Sequence, residues 1–223
     1  VIALSALVYV ILKLVFMFGF VSQYIEQITL YAFIVILTSL GLNVIYGYTG
    51  QFSLGHAAFY GIGAYTSAYL TKVFGIENMF TYIPILFISG AAAGLVGYLI
   101  GMPILRLRDD FLAIATLGFG TLVRVLLDNS DKFAEVLGGS RGFVGIPRLT
   151  SLELSFLIVV FLILITRNLI FSRYGLFWRC IKSDELASAS IGINTFSMKL
   201  MAFTYGCFLA GIGGGLYANL YTF

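Results

Sequence analysis

The residues able to do chemistry are few in this chain, and they gather in one short run. Gly47-Tyr48-Thr49-Gly50-Gln51-Phe52-Ser53-Leu54-Gly55-His56 sets Thr49, Gln51, Ser53 and His56 among three glycines, with Asn43 just upstream. Hydroxyl, carboxamide and imidazole groups donate and accept hydrogen bonds, so this run is equipped for recognition. It is not equipped for catalysis. His56 is the single histidine, which excludes a multi-histidine zinc site. Cys180 and Cys207 are too far apart for a CxxC motif. No G-x-x-x-x-G-K-[ST], G-x-S-x-G or H-E-x-x-H sequence occurs, so the chain does not bind ATP through a P-loop. No cofactor and no metal is expected.

The elements that carry this run belong in a bilayer. Of 223 residues, 60% are hydrophobic and 10% charged, against about 25% charged in a soluble domain. That balance excludes an ordinary cytosolic enzyme, a disordered chain and a disulfide-stapled secreted domain. A net charge of +3, without a block of like charge, gives no reason to expect nucleic-acid binding. At about 20 apolar residues per crossing, the length allows roughly six to eight spans. The expected fold is an all-α polytopic transmembrane helical bundle.

Seven apolar segments divide it, about Val1–Phe20, Ile28–Tyr46, Leu54–Leu70, Tyr82–Leu105, Phe111–Leu127, Leu152–Phe171 and Phe196–Phe223. Basic residues set the orientation: Arg106 and Arg108 follow the fourth segment, and Arg167, Arg173, Arg179 and Lys182 lie at or after the end of the sixth. The positive-inside rule makes both places cytoplasmic and the loop from Asp128 to Ser151 external. The N-terminus then lies inside and Phe223 outside. Gly47 to His56 makes a poor continuous membrane helix, because its backbone must find partners in protein or in water lining a cavity. Two readings are open, a broken helix beside a substrate path and a plain turn between two spans. His56 in turn either lines the path or ties the broken helix together.

Other features are expected to be structural. Gly90, Gly94, Gly97 and Gly101, and again Gly211 and Gly215, have the small-xxx-small spacing of close helix contacts, within the subunit or between subunits. Arg124 is near enough to the external end of its segment to snorkel, and Lys13 has the same option or a partner. Acids such as Glu26, Glu77, Asp128 and Glu153 fall near segment ends, which weakens a proton- or sodium-coupled mechanism. The polar linker from Arg173 to Lys199 is longer than two spans require. It reads as a short amphipathic helix on the cytoplasmic surface, against the plainer reading of a solvated connector.

The stretch from Gly41 to Tyr65, which contains the glycine-rich run, strongly resembles the permease subunits of branched-chain amino acid ABC transporters of the LivM type. Three further motifs follow in order: Phe111 to Gly120 resembles the family's fifth-segment motif, Gly138-Gly139-Ser140-Arg141-Gly142 with Gly145-Ile146-Pro147 its external loop, and Glu185 to Asn194 its cytoplasmic loop. The resemblance implies a permease domain over residues 1–223, translocating branched-chain amino acids across a bacterial or archaeal plasma membrane. It implies as partners cytoplasmic ATPase subunits, a second permease subunit in a heterodimer, and a periplasmic or lipoprotein substrate-binding protein. The linker 173–199 becomes the coupling loop, with Arg179, Lys182, Glu185, Ala187 and Gly192 as the residues that face or hold the ATPase. For the substrate path the candidates are Asn43, Gln51, Ser53, His56 and Thr116, polar groups in or beside broken apolar helices.

The chain also departs from the pattern. Thr121 stands where the family often has Glu, and Ser188 and Ser190 replace commoner small or charged residues. The family's closing glycine-rich segment and last one or two spans are not among these residues. Alternatives to the branched-chain reading are an ABC permease for urea or short amides, an ion-coupled secondary transporter, and a non-transporting membrane scaffold.

Overall fold

The computed structural model describes residues 9, 13, 23–76, 78–107, 109–132, 138–139, 142–143 and 145–221. The first apolar segment apart from Tyr9 and Lys13, together with Glu77, Arg108, Glu135, Ser140 and Arg141, lies outside the described residues. The described residues form an all-helical bundle without strands. In chain order the helices are α1 (Gln23–Leu42), α2 (His56–Val73), α3 (Met79–Ile104), α4 (Asp109–Asp128), α5 (Leu152–Ile170), α6 (Arg173–Ser183), α7 (Glu185–Ser190) and α8 (Thr195–Tyr221). Among the described residues, five stretches are long and apolar enough to cross a membrane: α1 with its extension to Tyr48, α3, α4 from Phe111, α5 and α8. The chain is a multi-pass membrane protein.

α8 is the axis of the bundle. It is buried along most of its length and packs against α1, α2 and α3. Its glycines make that possible, each facing a different neighbour. A Cβ on Gly206 would meet Ile45 and the Gly41 carbonyl, one on Gly211 would meet Ala93, and one on Gly214 would overlap the Tyr60 carbonyl. The α3 stripe packs on the same helix in antiparallel order: Gly90 against Ile212, Gly97 against Cys207 and Gly101 against Leu200. Both small-residue patterns are therefore internal contacts of this chain. Side-chain hydrogen bonds to backbone oxygens of α8 supplement the packing. Tyr82 donates to Gly215 at 2.8 Å and Thr150 to Leu216 at 2.9 Å.

The two ends of the bundle are chemically distinct. At one end Arg106 lies over the Phe196 ring, and α6 carries Arg173, Arg179 and Lys182. At the other, Tyr65 donates to the Gly139 carbonyl, Lys72 lies over Phe143, and the Ser151 hydroxyl faces the Met79 sulfur. Successive spans thus alternate in direction as the basic residues predict. Lys13 does not stand alone in its apolar segment, because its Nζ is 2.8 Å from Glu153 at the start of α5.

The linker differs from the expected single helix. Asp184 is extended, with φ −159°, and its side chain accepts a hydrogen bond from the Ala187 amide at 2.9 Å. That cap ends α6 and starts α7, since a capping carboxylate at this position satisfies a free helix-start amide. Residues from Thr195 onward, including Lys199, already belong to α8.

Candidate functional site at the helix break

α1 does not end cleanly. From Asn43 to Tyr48 it widens into a π-helix, a form often found at functional positions. The Asn43 side chain folds back over Gly47, which has no Cβ to obstruct it. Gly50 then takes a left-handed conformation at φ +76°, which glycine adopts without steric cost. The backbone stays non-helical to Gly55, and α2 begins at His56. The helix is interrupted over residues 50–55, and the segment turns back along the bundle before α2 starts.

The break carries its polar groups at two depths. Near the basic end, the buried Gln51 donates from Nε2 to the Lys199 carbonyl at 3.1 Å. Deeper in the bundle, the Leu54 amide donates to Thr116 Oγ1 at 3.1 Å, and that hydroxyl donates to Ala113 at 3.0 Å. Gly55 sits so close to the Thr116 carbonyl that a Cβ would overlap it. His56 donates from Nε2 to the Thr38 carbonyl at 3.3 Å. Gln51 Oε1, Ser53 Oγ and His56 Nδ1 are buried with no hydrogen-bond partner among the described residues. Unpaired buried polar atoms are costly, and Ser130 Oγ, Ser155 Oγ, Thr204 Oγ1 and Asn219 Oδ1 share this state elsewhere among the described residues.

The structure thus brings Ser53, His56 and Thr116 to one stretch of the break and leaves Gln51 closer to the start of α8. Asn43 stands apart: it is exposed and turned onto its own helix.

α6 and α7 form a second unit, fastened to the break. Trp178, fully buried, donates from its indole to the Met198 carbonyl at 3.0 Å and packs on Val44 and Ala202. Lys182 donates to the Gly47 carbonyl at 2.7 Å, with its stem beside Gly50. A free carbonyl at a helix C-terminus attracts such a cation. Lys182, although exposed, therefore lies against the break. Arg179 is exposed and bonds the Gly175 carbonyl at 3.2 Å. Glu185 pairs with Lys199 at 2.7 Å. Ala187 is exposed, and Gly192 turns with φ +89° and nothing near its α-carbon substituent position. Leu186 on this small helix and Ile191 just after it are 82% and 73% exposed. Sequence reasoning passed over both, although an isoleucine and a leucine in a polar linker were a visible signal. It also missed Lys199, whose pairing with Glu185 no local spacing announces.

The family model for the permease component of the branched-chain amino acid transport system matches residues 24–223. The chain belongs to that permease family. It is 35% identical over 232 residues to the high-affinity branched-chain amino acid transport system permease protein LivM of Escherichia coli (strain K12), covering 89% of this chain and 53% of that protein. The LivM of Salmonella typhimurium matches with the same identity and coverage. A probable branched-chain amino acid transport permease protein LivH of Methanocaldococcus jannaschii is 26% identical over 208 residues, 86% of this chain and 64% of its own. The chain spans about half the length of the LivM relatives. No solved structure matches it. The family match includes the whole break and both linker helices.

Proposed function

We propose that the chain is a membrane-spanning permease subunit of an ABC importer that moves branched-chain amino acids across the inner membrane, using ATP hydrolysed by separate subunits. The observation that carries the reading is the linkage between α6–α7 and the helix break through Lys182 and Gly47. A helix pair outside the bundle, bonded to a break that holds unpaired polar atoms, is a route by which a partner's motion reaches a substrate path. In this reading α6–α7 faces the cytoplasmic ATPase, and Leu186 and Ile191 are its apolar anchors. Glu185, Ala187 and Gly192 shape the same surface, while Lys182 ties it to the break and Arg179 faces the membrane or the partner. Gln51, Ser53, His56 and Thr116 border the path, with Asn43 supporting the π-helix. A second permease subunit completes the path, and a periplasmic or lipoprotein binding protein delivers the amino acid.

The test is reconstitution. The chain is co-expressed with the neighbouring ATPase, permease and binding-protein genes, purified, and placed in liposomes with ATP inside or outside. Leucine uptake that needs both ATP and the binding protein is the expected result. Uptake driven by an ion gradient without any ATPase overturns it.

A further inference from the structure

Beside the break, α2 and α4 leave a groove of about 400 Å³ between them. Its inner end is walled by Leu54 and Gly55 of the break and by Leu117, and its outer end by Arg124 and Asp128. At 1.5 Å per residue, the α4 wall from Leu117 to Asp128 is about 16 Å long. The groove thus runs from the bundle end opposite the basic one down to the break. Ala57, Ala58 and Gly61 on α2 hollow it out, since each has little or no side chain.

The charged mouth and the apolar wall have a common explanation. Arg124 and Asp128 are one turn apart on α4, with Arg124 Nε 3.8 Å from Asp128 Oδ2. That separation exceeds a hydrogen bond, so the guanidinium fork and the carboxylate both keep their bonding capacity. The pair is well exposed, at 83% and 52%, and adds little as a structural ion pair. An α-amino acid carries a carboxylate and an ammonium on one carbon. A cation and an anion held within one helical turn match that arrangement, and a guanidinium fork matches a carboxylate in bidentate geometry. An apolar side chain then lies along the groove wall toward Leu117 and Leu54.

We propose that the α2–α4 groove is a binding station for an apolar α-amino acid, with Arg124 holding its carboxylate and Asp128 its ammonium. The proposal rests on the permease reading and adds to it the residues that recognise the zwitterion before the break is reached.

The test uses the complete transporter in nanodiscs without the binding protein, and measures displacement of radiolabelled leucine. The competitors are leucine, 3-methylbutylamine, which lacks the carboxylate, and 4-methylpentanoate, which lacks the ammonium. Arg124→Gln is expected to weaken leucine about tenfold or more, the loss of one charged hydrogen-bonding partner, and to leave 3-methylbutylamine unchanged. Asp128→Asn is expected to weaken leucine while leaving 4-methylpentanoate unchanged. Arg124→Lys, which keeps the charge and loses the fork, falls between. A merely structural role would weaken all three ligands together or none, and either outcome overturns the site. ATP-driven leucine uptake by the same wild-type preparation is measured in parallel. If uptake is present while the crossed pattern is missing, the groove proposal fails and the permease reading stands; if wild-type uptake is missing, both fail.

Discussion

Thr116 serves two hydrogen bonds with one hydroxyl, accepting from the Leu54 amide and donating to Ala113. It is therefore the fastener between the break and α4. Thr116→Val keeps the shape and removes the acceptor, leaving a Leu54 amide without its partner. That costs about 1–3 kcal/mol, and at roughly 2–4 °C per kcal/mol it should lower the apparent melting temperature of the purified protein accordingly. A glycine pair on the same contact separates space from chemistry. A Cβ on Gly55 overlaps the Thr116 carbonyl, whereas one on Gly118 meets nothing within 4 Å. Gly55→Ala should push the break off α4 and abolish most uptake, while Gly118→Ala should leave uptake near wild type and stability equal or higher, since alanine is the better helix former. Equal effects from the two substitutions would show that the break does not depend on this close approach. His56 belongs to the same scale: its bond to Thr38 uses Nε2 and leaves Nδ1 bare, so the imidazole both ties and offers an acceptor.

At the scale of elements, α6 reaches the break through the Lys182 bond to Gly47 and through Trp178, which packs on Val44. Lys182 is exposed, so its bond to Gly47 adds little to stability and its value is in transmission. Lys182→Met should leave folding and ATP hydrolysis nearly intact and raise the ATP consumed per leucine delivered, by several-fold; the ratio of phosphate released to leucine accumulated measures it. An unchanged ratio removes Lys182 from the coupling route. Much of this element pattern was legible beforehand. Long apolar runs marked the spans, and glycine with polar residues between Gly47 and His56 marked the break, because a lipid-exposed backbone needs partners that such a run lacks. Other parts were not legible, for physical reasons. The spacing of Gly90, Gly94, Gly97 and Gly101 announces a close neighbour without saying which helix it is. The α8 glycines Gly211, Gly213, Gly214 and Gly215 follow no single face because three helices approach α8 from different sides. Asp184 splits the linker into two helices through a local capping bond, and a run of helix formers on both sides conceals it. The bond of Lys182 depends on a carbonyl 135 residues away in sequence.

At the scale of the whole molecule, the distribution of exposed apolar surface separates lipid from partner. Most exposed leucines, isoleucines and phenylalanines sit on the spans, where hydrocarbon is their solvent and their exposure carries no message. Leu186 and Ile191 do not, because α7 lies beyond α6 at the basic end, among Glu185, Ser190 and Asn194. In the proposed reading these two side chains are the partner's anchors, since in a small interface a few such groups carry most of the affinity. Glu185 is held by Lys199, so the helix presents both anchors from a fixed base, and the left-handed turn at Gly192 returns the chain to α8 without covering them. Leu186→Ser together with Ile191→Ser should therefore cut co-purification of the ATPase subunit at least about tenfold while membrane insertion and the melting temperature of the chain itself stay near wild type. Gly192→Val should act differently, straining the turn and weakening ATPase binding together with stability. If the serine pair instead destabilises the isolated chain and retains the ATPase, these residues are part of the bundle's own packing and the docking face must be sought on the exposed side of α6, around Arg173, Leu176 and Arg179.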